Sequence, residues 1–588
     1  MIDRLPIIDI APTIYFGREF VGIKAIPHES LTVSATVLRE GHEGVEAFAL
    51  LFDPAAKLFS RTLMRPVYGV PDRYEIEISA DRVGLWYFAI EAKSGALSSI
   101  SERFPIRVER ERALVGSWYE FFPRSEGAVR NPDGTITSGT FKSAAKRLPK
   151  VAKMGFDVLY IPPIHPIGYA HRKGKNNSLT ATKSDPGVPW GIGNKDGGHD
   201  AINPELGTIE DFRAFVKKAD SLGIEIALDL ALQASPDHPW VKSNEEFFTK
   251  RIDGTIAYAE NPPKKYQDIY PINFDNDYPR LFAEIVQIVK YWISEGVTLF
   301  RVDNPHTKPV HFWQELIRVI NREHPEIVFL SEAFTNPAMM HALGKAGFQQ
   351  SYTYFTWRVT KQELIDYGRE VAQQSAHFFR PNFWVNTPDI LPFHLQSGNP
   401  NIFAIRAVLA STLSPSWGMY AGYELFESTP MSDGGSGSKE EYLDSEKYEI
   451  KVRDWEGATK SGKTLAPLIT RLNEIRRKNV SLQRLRNLHF HPTDSDALIA
   501  YSKRDGKNIS FIVVNLDPDR AVEANVHWEM WVLGFDNDSF TVTDQLDGKS
   551  LTWHRTTRVR LDPQEKSGAT PYGRVAHICT LTLDEKLN

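Results

Sequence analysis

"GVTLFRVDNPHTKP", residues 296–309, is an apolar run that breaks into Arg301, Asp303 and Asn304. Residues two apart on a strand face the same side, so Arg301 and Asp303 look into one space. Two readings are open: a structural ion pair in the core, or a strand delivering charge to a reaction. Before it, "RLFAEIVQIVKYWISEG" (280–296) places Phe282, Ile285, Val289 and Trp292 at helical spacing ahead of a glycine stop. After it, "EIVFLSE" (326–332) is a second apolar run ending in an acid. Further strand candidates are 117–123, 156–164, 224–232, 350–357, 382–389 and 416–424, with helical patterns between them. Eight strands alternating with helices predict an α/β fold, a closed (β/α)8 TIM barrel.

On that barrel Asp303, Glu332 and Asp389 end strands four, five and seven and meet on one rim. Glycosidic bond chemistry uses such a set: an ionised carboxylate to attack the anomeric carbon, and a protonated one to assist the leaving group. In a retaining reaction these two stand about 5 Å apart, a spacing that neighbouring strands supply. Arg301 would keep Asp303 ionised, and the drier setting of Glu332 would raise its pKa toward that of an acid. An Arg–Asp pair alone is as often structural, but three acids at three strand ends favour catalysis.

Residues 1–105 read as an N-terminal β-sandwich, with "RYEIEIS" (73–79) and "GLWYFAIEA" (84–92) as alternating strands and 93–105 as a connecting segment. Residues 106–485 form the expected barrel, and 486–588 a C-terminal antiparallel β domain. Two long insertions, about 165–206 and 233–277, follow early barrel strands; they rise at the strands' C-terminal ends, where barrel enzymes build their sites.

The net charge of −5 gives no electrostatic reason to expect nucleic acid or an anionic membrane surface. One cysteine, Cys579, rules out an intrachain disulfide and a cysteine-based metal site. "MIDRLPIIDIAPTIYFG" has acids and prolines where a signal peptide needs a basic start, and no apolar run is long enough to span a bilayer. A cytoplasmic location is the default expectation.

"LFRVDNPH", "FLSEAF", "NTPD" and "ALDLALQASPDHPW" resemble the four signature regions of glycoside hydrolase family 13, the α-amylase superfamily. "NPPKKYQDIYPINFD" (261–275), "SYTYFTWR" (351–358), "YIPPIHPIG" (160–168) and "EYLDSEKYEI" (441–450) are similar to its α-1,4-glucan:maltose-1-phosphate maltosyltransferase branch. The resemblance implies Asp303 as nucleophile, Glu332 as proton donor and Asp389 as transition-state stabiliser. It implies substrate contacts by Lys173, Gln233, Asp268, Asn304, Lys447 and Tyr448, with Arg301 beside them, and phosphate contacts by Asn261, Lys264 and Tyr266. Where amylases carry two sugar-binding histidines this chain has Pro388 and Ala234, and Gln233 replaces a calcium-holding asparagine. No metal and no cofactor are therefore expected. Longer members of the branch carry a helical segment before the barrel that contributes to their dimer; its absence leaves a homodimer open.

The expected reaction moves a maltosyl unit from α-maltose 1-phosphate to the non-reducing end of an α-1,4-glucan, releasing phosphate through a covalent β-maltosyl-enzyme. The alternatives are an α-glucan hydrolase or another transglycosidase of the superfamily, and a catalytically dead binding subunit.

Overall fold

The computed structural model describes residues 4–41, 43–261, 264–435, 437–566 and 570–582. Eight parallel strands form one sheet: β1 Gly116–Glu120, β2 Val158–Ile161, β3 Glu225–Leu230, β4 Leu299–Asp303, β5 Val328–Glu332, β6 Gln350–Ser351, β7 Asn382–Trp384 and β8 Ser416–Tyr420. The sheet order is β6-β5-β4-β3-β2-β1-β8-β7. A parallel bridge from Ser351 to Pro381 joins its two ends, with the Ser351 N–H donating to Arg380 O at 3.0 Å. The result is the (β/α)8 barrel that alternating strands and helices predict.

Helices cover its outside because each presents one apolar stripe to the sheet. Tyr278–Ser294 buries Leu281, Ile285, Val289 and Trp292; Asp277 caps its start and Gly296, at φ 92°, follows its end. The inside is filled by side chains that alternate along the strands, including Trp118, Val158, Tyr160, Leu299, Leu330, Tyr352 and Trp384. Trp384 stacks on Tyr352 with ring centroids 5.0 Å apart. Room for that indole comes from Gly418 on β8, where an added Cβ would lie 2.5 Å from Trp384 Cε2.

Two strand expectations are corrected. Residues 350–357 give only the two-residue β6, after which Thr353 accepts a bond from the Phe355 N–H and starts a 3-10 turn at Tyr354–Trp357. Strand seven stops at Trp384, so Asp389 lies five residues past its end rather than on it. Pro388 has no N–H for a ladder, and Thr387 Oγ1 instead accepts from the N–H groups of Asp389 (3.3 Å) and Ile390 (3.1 Å), folding a turn.

Ahead of the barrel, two sheets face each other across a buried apolar core, one of four strands and one of six. Residues 93–105 do not form a connecting segment. Gly84–Ser94 and Leu97–Ile100 make a hairpin across Gly95, at φ 56°, and Phe104–Val108 is a strand of the same sheet. Arg110 and Arg112 then clamp Glu225 at the foot of β3, at 2.8 and 2.9 Å. After the barrel, a six-stranded antiparallel sheet from Leu488–His491 to Ala576–Thr582 packs over its own core, with Cys579 buried in it.

Gly418→Ala is expected to overpack the barrel interior and cost about 1–3 kcal/mol. A lowered thermal midpoint checks this; an unchanged one means that Trp384 shifts freely.

Candidate active site

Neighbouring parallel strands put Asp303 and Glu332 in direct register, Cα opposite Cα. Strands lie about 4.8 Å apart, so the two carboxylates leave the sheet side by side. Beneath them Arg301 is buried, and its guanidinium serves three acids at once. Nη1 lies 2.9 Å from both Asp303 Oδ1 and Asp229 Oδ2, and Nη2 lies 3.2 Å from Glu332 Oε1. The Arg301–Asp303 pair of the opening motif is thus one edge of a cluster, not a self-contained ion pair.

Asn304 closes the strand. It adopts a left-handed conformation, φ 42° and ψ 54°, which asparagine tolerates better than most residues. Its backbone N–H donates to Glu332 Oε2 at 3.2 Å and its side-chain amide to Asp303 Oδ2 at 3.4 Å. One residue therefore touches both acids.

Burial pushes the Glu332 carboxyl up to about 8; Arg301 opposes the rise, and the Asp303 and Asp389 carboxylates add to it. Asp229 is raised as well, first by burial, although Arg301 pulls it back. Asp229 also accepts from the Tyr160 hydroxyl at 2.5 Å and the Trp190 indole N–H at 3.3 Å. Glu120, at the end of β1 and only 1% exposed, is pushed well above the carboxylate range by burial, with Arg301 in opposition.

Asp389 joins this centre from its turn. Lys447 donates directly to Asp389 Oδ1. Burial alone would lower the Lys447 amine; Asp389 more than reverses that and holds it above the usual lysine range. The same amine lies 5.7 Å from the Tyr448 ring centroid and 5.9 Å from that of Trp190.

The insertions supply the next layer. Gln233 pairs with Pro271 across a short ladder, and its amide donates to Trp190 O at 3.1 Å. Lys173 is buried and lines a small cavity with Asp268, Ser235 and Ile167. Burial raises Asp268, opposed by Lys173 and Lys447, and Asp268 Oδ1 is buried without a hydrogen-bond partner. Asn176 and Lys175 tie this insertion to the 441–450 segment, the Asn176 amide meeting Asp444 at 2.9 Å and the Lys175 amine at 3.3 Å.

Arg301, Asp303, Asn304 and Glu332 are therefore in mutual contact, with Asp389, Lys447 and Tyr448 beside them and Lys173, Gln233 and Asp268 around the edge. Tyr266 is placed on a hairpin, opposite Ala259, and no hydrogen bond joins its side chain to the acids among the described residues. Asn261 and Lys264 pair on the same hairpin, but their side chains lie outside the described residues. Tyr352 is interior packing. Sequence reasoning missed Asp229, Glu120, Tyr160 and Trp190. For Asp229 the signal was available: in "ALDLAL" it shares strand parity with Ala227, which faces the barrel interior.

The barrel has the fold of α-amylase-type barrels. A maltogenic α-amylase of Thermotoga neapolitana superposes with TM-score 0.60 at 19% identity, over 80% of this chain and 99% of its own. A cyclomaltodextrinase does so at 0.60 and 14%, over 95% and 97%. Two family models match the flanks: one described as GLGE, C-terminal, over residues 490–581, and one as α-1,4-glucan:maltose-1-phosphate maltosyltransferase, domain N/S, over 3–118. α-1,4-Glucan:maltose-1-phosphate maltosyltransferase 1 of Streptomyces coelicolor is 48% identical over 99% of this chain and 96% of its own length. The corresponding protein of Mycolicibacterium smegmatis is 43% identical over 99% and 97%. The chain belongs to the α-1,4-glucan:maltose-1-phosphate maltosyltransferase family. Among the described residues, no helix is long and apolar enough to cross a membrane.

Glu332 titrates higher in the folded chain than at its ordinary value of about 4.3, so the folded state holds the extra proton between that value and about 8. Stability falls as pH rises through this window. Glu332→Gln removes the penalty: its thermal midpoint should gain on the parent's progressively from pH 5 to pH 9. Parallel pH profiles of the two proteins would contradict the raised carboxyl.

Proposed function

We propose that this enzyme moves a maltosyl unit from α-maltose 1-phosphate to the non-reducing end of an α-1,4-glucan, with retention and release of inorganic phosphate. The observation that carries the reading is the in-register Asp303–Glu332 pair held on one guanidinium. Its strand spacing suits a retaining displacement, for which about 5 Å is needed.

Asp303, hydrogen-bonded to Arg301 and Asn304, is the nucleophile. Its oxygen attacks the anomeric carbon, and the bond from that carbon to the phosphate oxygen breaks. Glu332 gives its proton to the departing phosphate and is left ionised. The β-maltosyl ester on Asp303 is then attacked by the 4-hydroxyl of the acceptor end, whose proton goes to Glu332. The second inversion restores the α configuration and frees Asp303.

Asp389, steered by Lys447, binds hydroxyls of the distorted sugar next to the bond being broken. Lys173, Gln233, Asp268, Asn304, Lys447 and Tyr448 contact the bound sugar. Asn261, Lys264 and Tyr266, on the hairpin of the second insertion, take the phosphate. Arg301 positions Asp303 and Glu332 from below, and its bond to Asp229 supports treating Asp229 as a positioning residue as well.

The test uses the purified chain with maltose 1-phosphate and a maltooligosaccharide, following inorganic phosphate and product length together. Phosphate release matched by growth in two-glucose steps is expected. Cleavage of the glucan with no phosphate would instead support a hydrolase. Asp303→Asn should abolish transfer, and Glu332→Gln should lower it about 10²–10⁴-fold. Because the first step needs protonated Glu332, the parent's rate should fall on the alkaline side, through about pH 8.

A further inference from the structure

A cavity of about 580 Å³ opens between the helix Leu148–Lys153, which follows β1, and the segment after β8. None of the acids or substrate residues above lines it. Its walls carry Arg147, Lys150, Lys153 and Lys460 against two acids, Glu424 and Glu456. Glu424 is spent inside the fold, accepting from Tyr119 at 2.6 Å, Arg147 at 3.2 Å and the Gly422 N–H at 3.1 Å. Three lysines are then left facing Glu456 alone, which reaches only Lys150, at 4.0 Å. Lys153 and Lys460 have no ion-pair partner among the described residues, so the cavity carries two uncompensated positive charges.

Two further features point to a bound molecule. Arg147 stacks on the Trp455 ring, its guanidinium carbon 3.7 Å from the centroid. Its side chain is 9% exposed, and its Nε is buried without a hydrogen-bond partner, the nearest carboxylate oxygen lying 3.9 Å away on Glu126. An orphaned guanidinium N–H is costly and suits an anionic acceptor. Trp455, Met154, Leu425 and Pro467 add apolar lining suited to a ring. Its volume falls in the range that encloses a small organic ligand.

We propose that this cavity is a second binding site, separate from the catalytic rim, for a phosphate monoester carried on a ring compound. Such a group is close to a dianion at neutral pH, which matches the excess of two positive charges. The ring packs beside Trp455, and the phosphate is held by Arg147, Lys153 and Lys460. A sugar phosphate and a nucleoside monophosphate share this chemistry.

The experiment is calorimetric titration of the intact chain with glucose 6-phosphate, AMP, inorganic phosphate and glucose, repeated on Lys153→Ala/Lys460→Ala and on Trp455→Phe. Saturable binding of glucose 6-phosphate, AMP or both is expected, at least tenfold weaker in the double lysine variant and weakened by salt. Preference between these two probes tells which source fits. Trp455→Phe should weaken the ring compounds and leave inorganic phosphate unchanged. Transfer activity without added ligand should stay within twofold in both variants, which separates this site from the catalytic one. The proposal is overturned if neither ring phosphate binds, if binding survives loss of both lysines, if glucose binds as well as its phosphate, or if inorganic phosphate alone binds as tightly as the ring compounds.

Discussion

Burying carboxylates together is expensive, and this barrel buries Asp229, Asp303 and Glu332 around one guanidinium. Arg301 makes the arrangement tolerable because its donors form a rigid planar fork that can meet several oxygens at fixed angles. A lysine at that point would offer one compact charge and could not span β3, β4 and β5. The guanidinium is itself held in place: Asp229 Oδ2, which also accepts from Tyr160 and Trp190, in turn holds Arg301. One fixed cation thus sets where both central acids sit and opposes the rise in the Glu332 pKa without cancelling it.

The last acid is held by a different device. Asp389 stands beyond the end of its strand, where no ladder can aim it, and the Lys447 amine does so instead. Lys447 comes from the 441–450 segment, which is tied by Asp444 to Asn176 and Lys175 of the first insertion. The backbone next to Lys447 is gripped from below: Arg124 takes the carbonyls of Glu446 and Lys447 at 2.7 and 3.0 Å, and Arg453 takes the Glu446 carboxylate at 3.0 Å. Loops far apart in the chain therefore control the one acid that the barrel sheet does not position.

Much of this was legible before any coordinates. The strands that end in Asp303 and Glu332 announce themselves by apolar runs that stop at an acid, and a barrel leaves such ends only one place to meet. Pairing partners were not legible in the same way. Arg301 read as the companion of Asp303 because two-residue spacing is visible along one strand. Its contacts with Asp229 and Glu332 cross to neighbouring strands, and registers between strands are set by the whole sheet. Residues 93–105 looked like a connection through their serines and glycine, but the turn at Gly95 and pairing with Gly84–Ser94 made them strand.

By itself the sequence determined the barrel, its flanking β domains and the two acids that end strands four and five, since period-two and helical patterns and chemical side-chain types are local properties. Only the tertiary structure decided which groups share a proton or a charge: the three-way hold of Arg301, the lysine on Asp389, and the raised carboxyl of Glu332. Desolvation and electrostatic coupling depend on distances through space, and residues 229, 301, 332, 389 and 447 come within reach of one another only when the sheet closes.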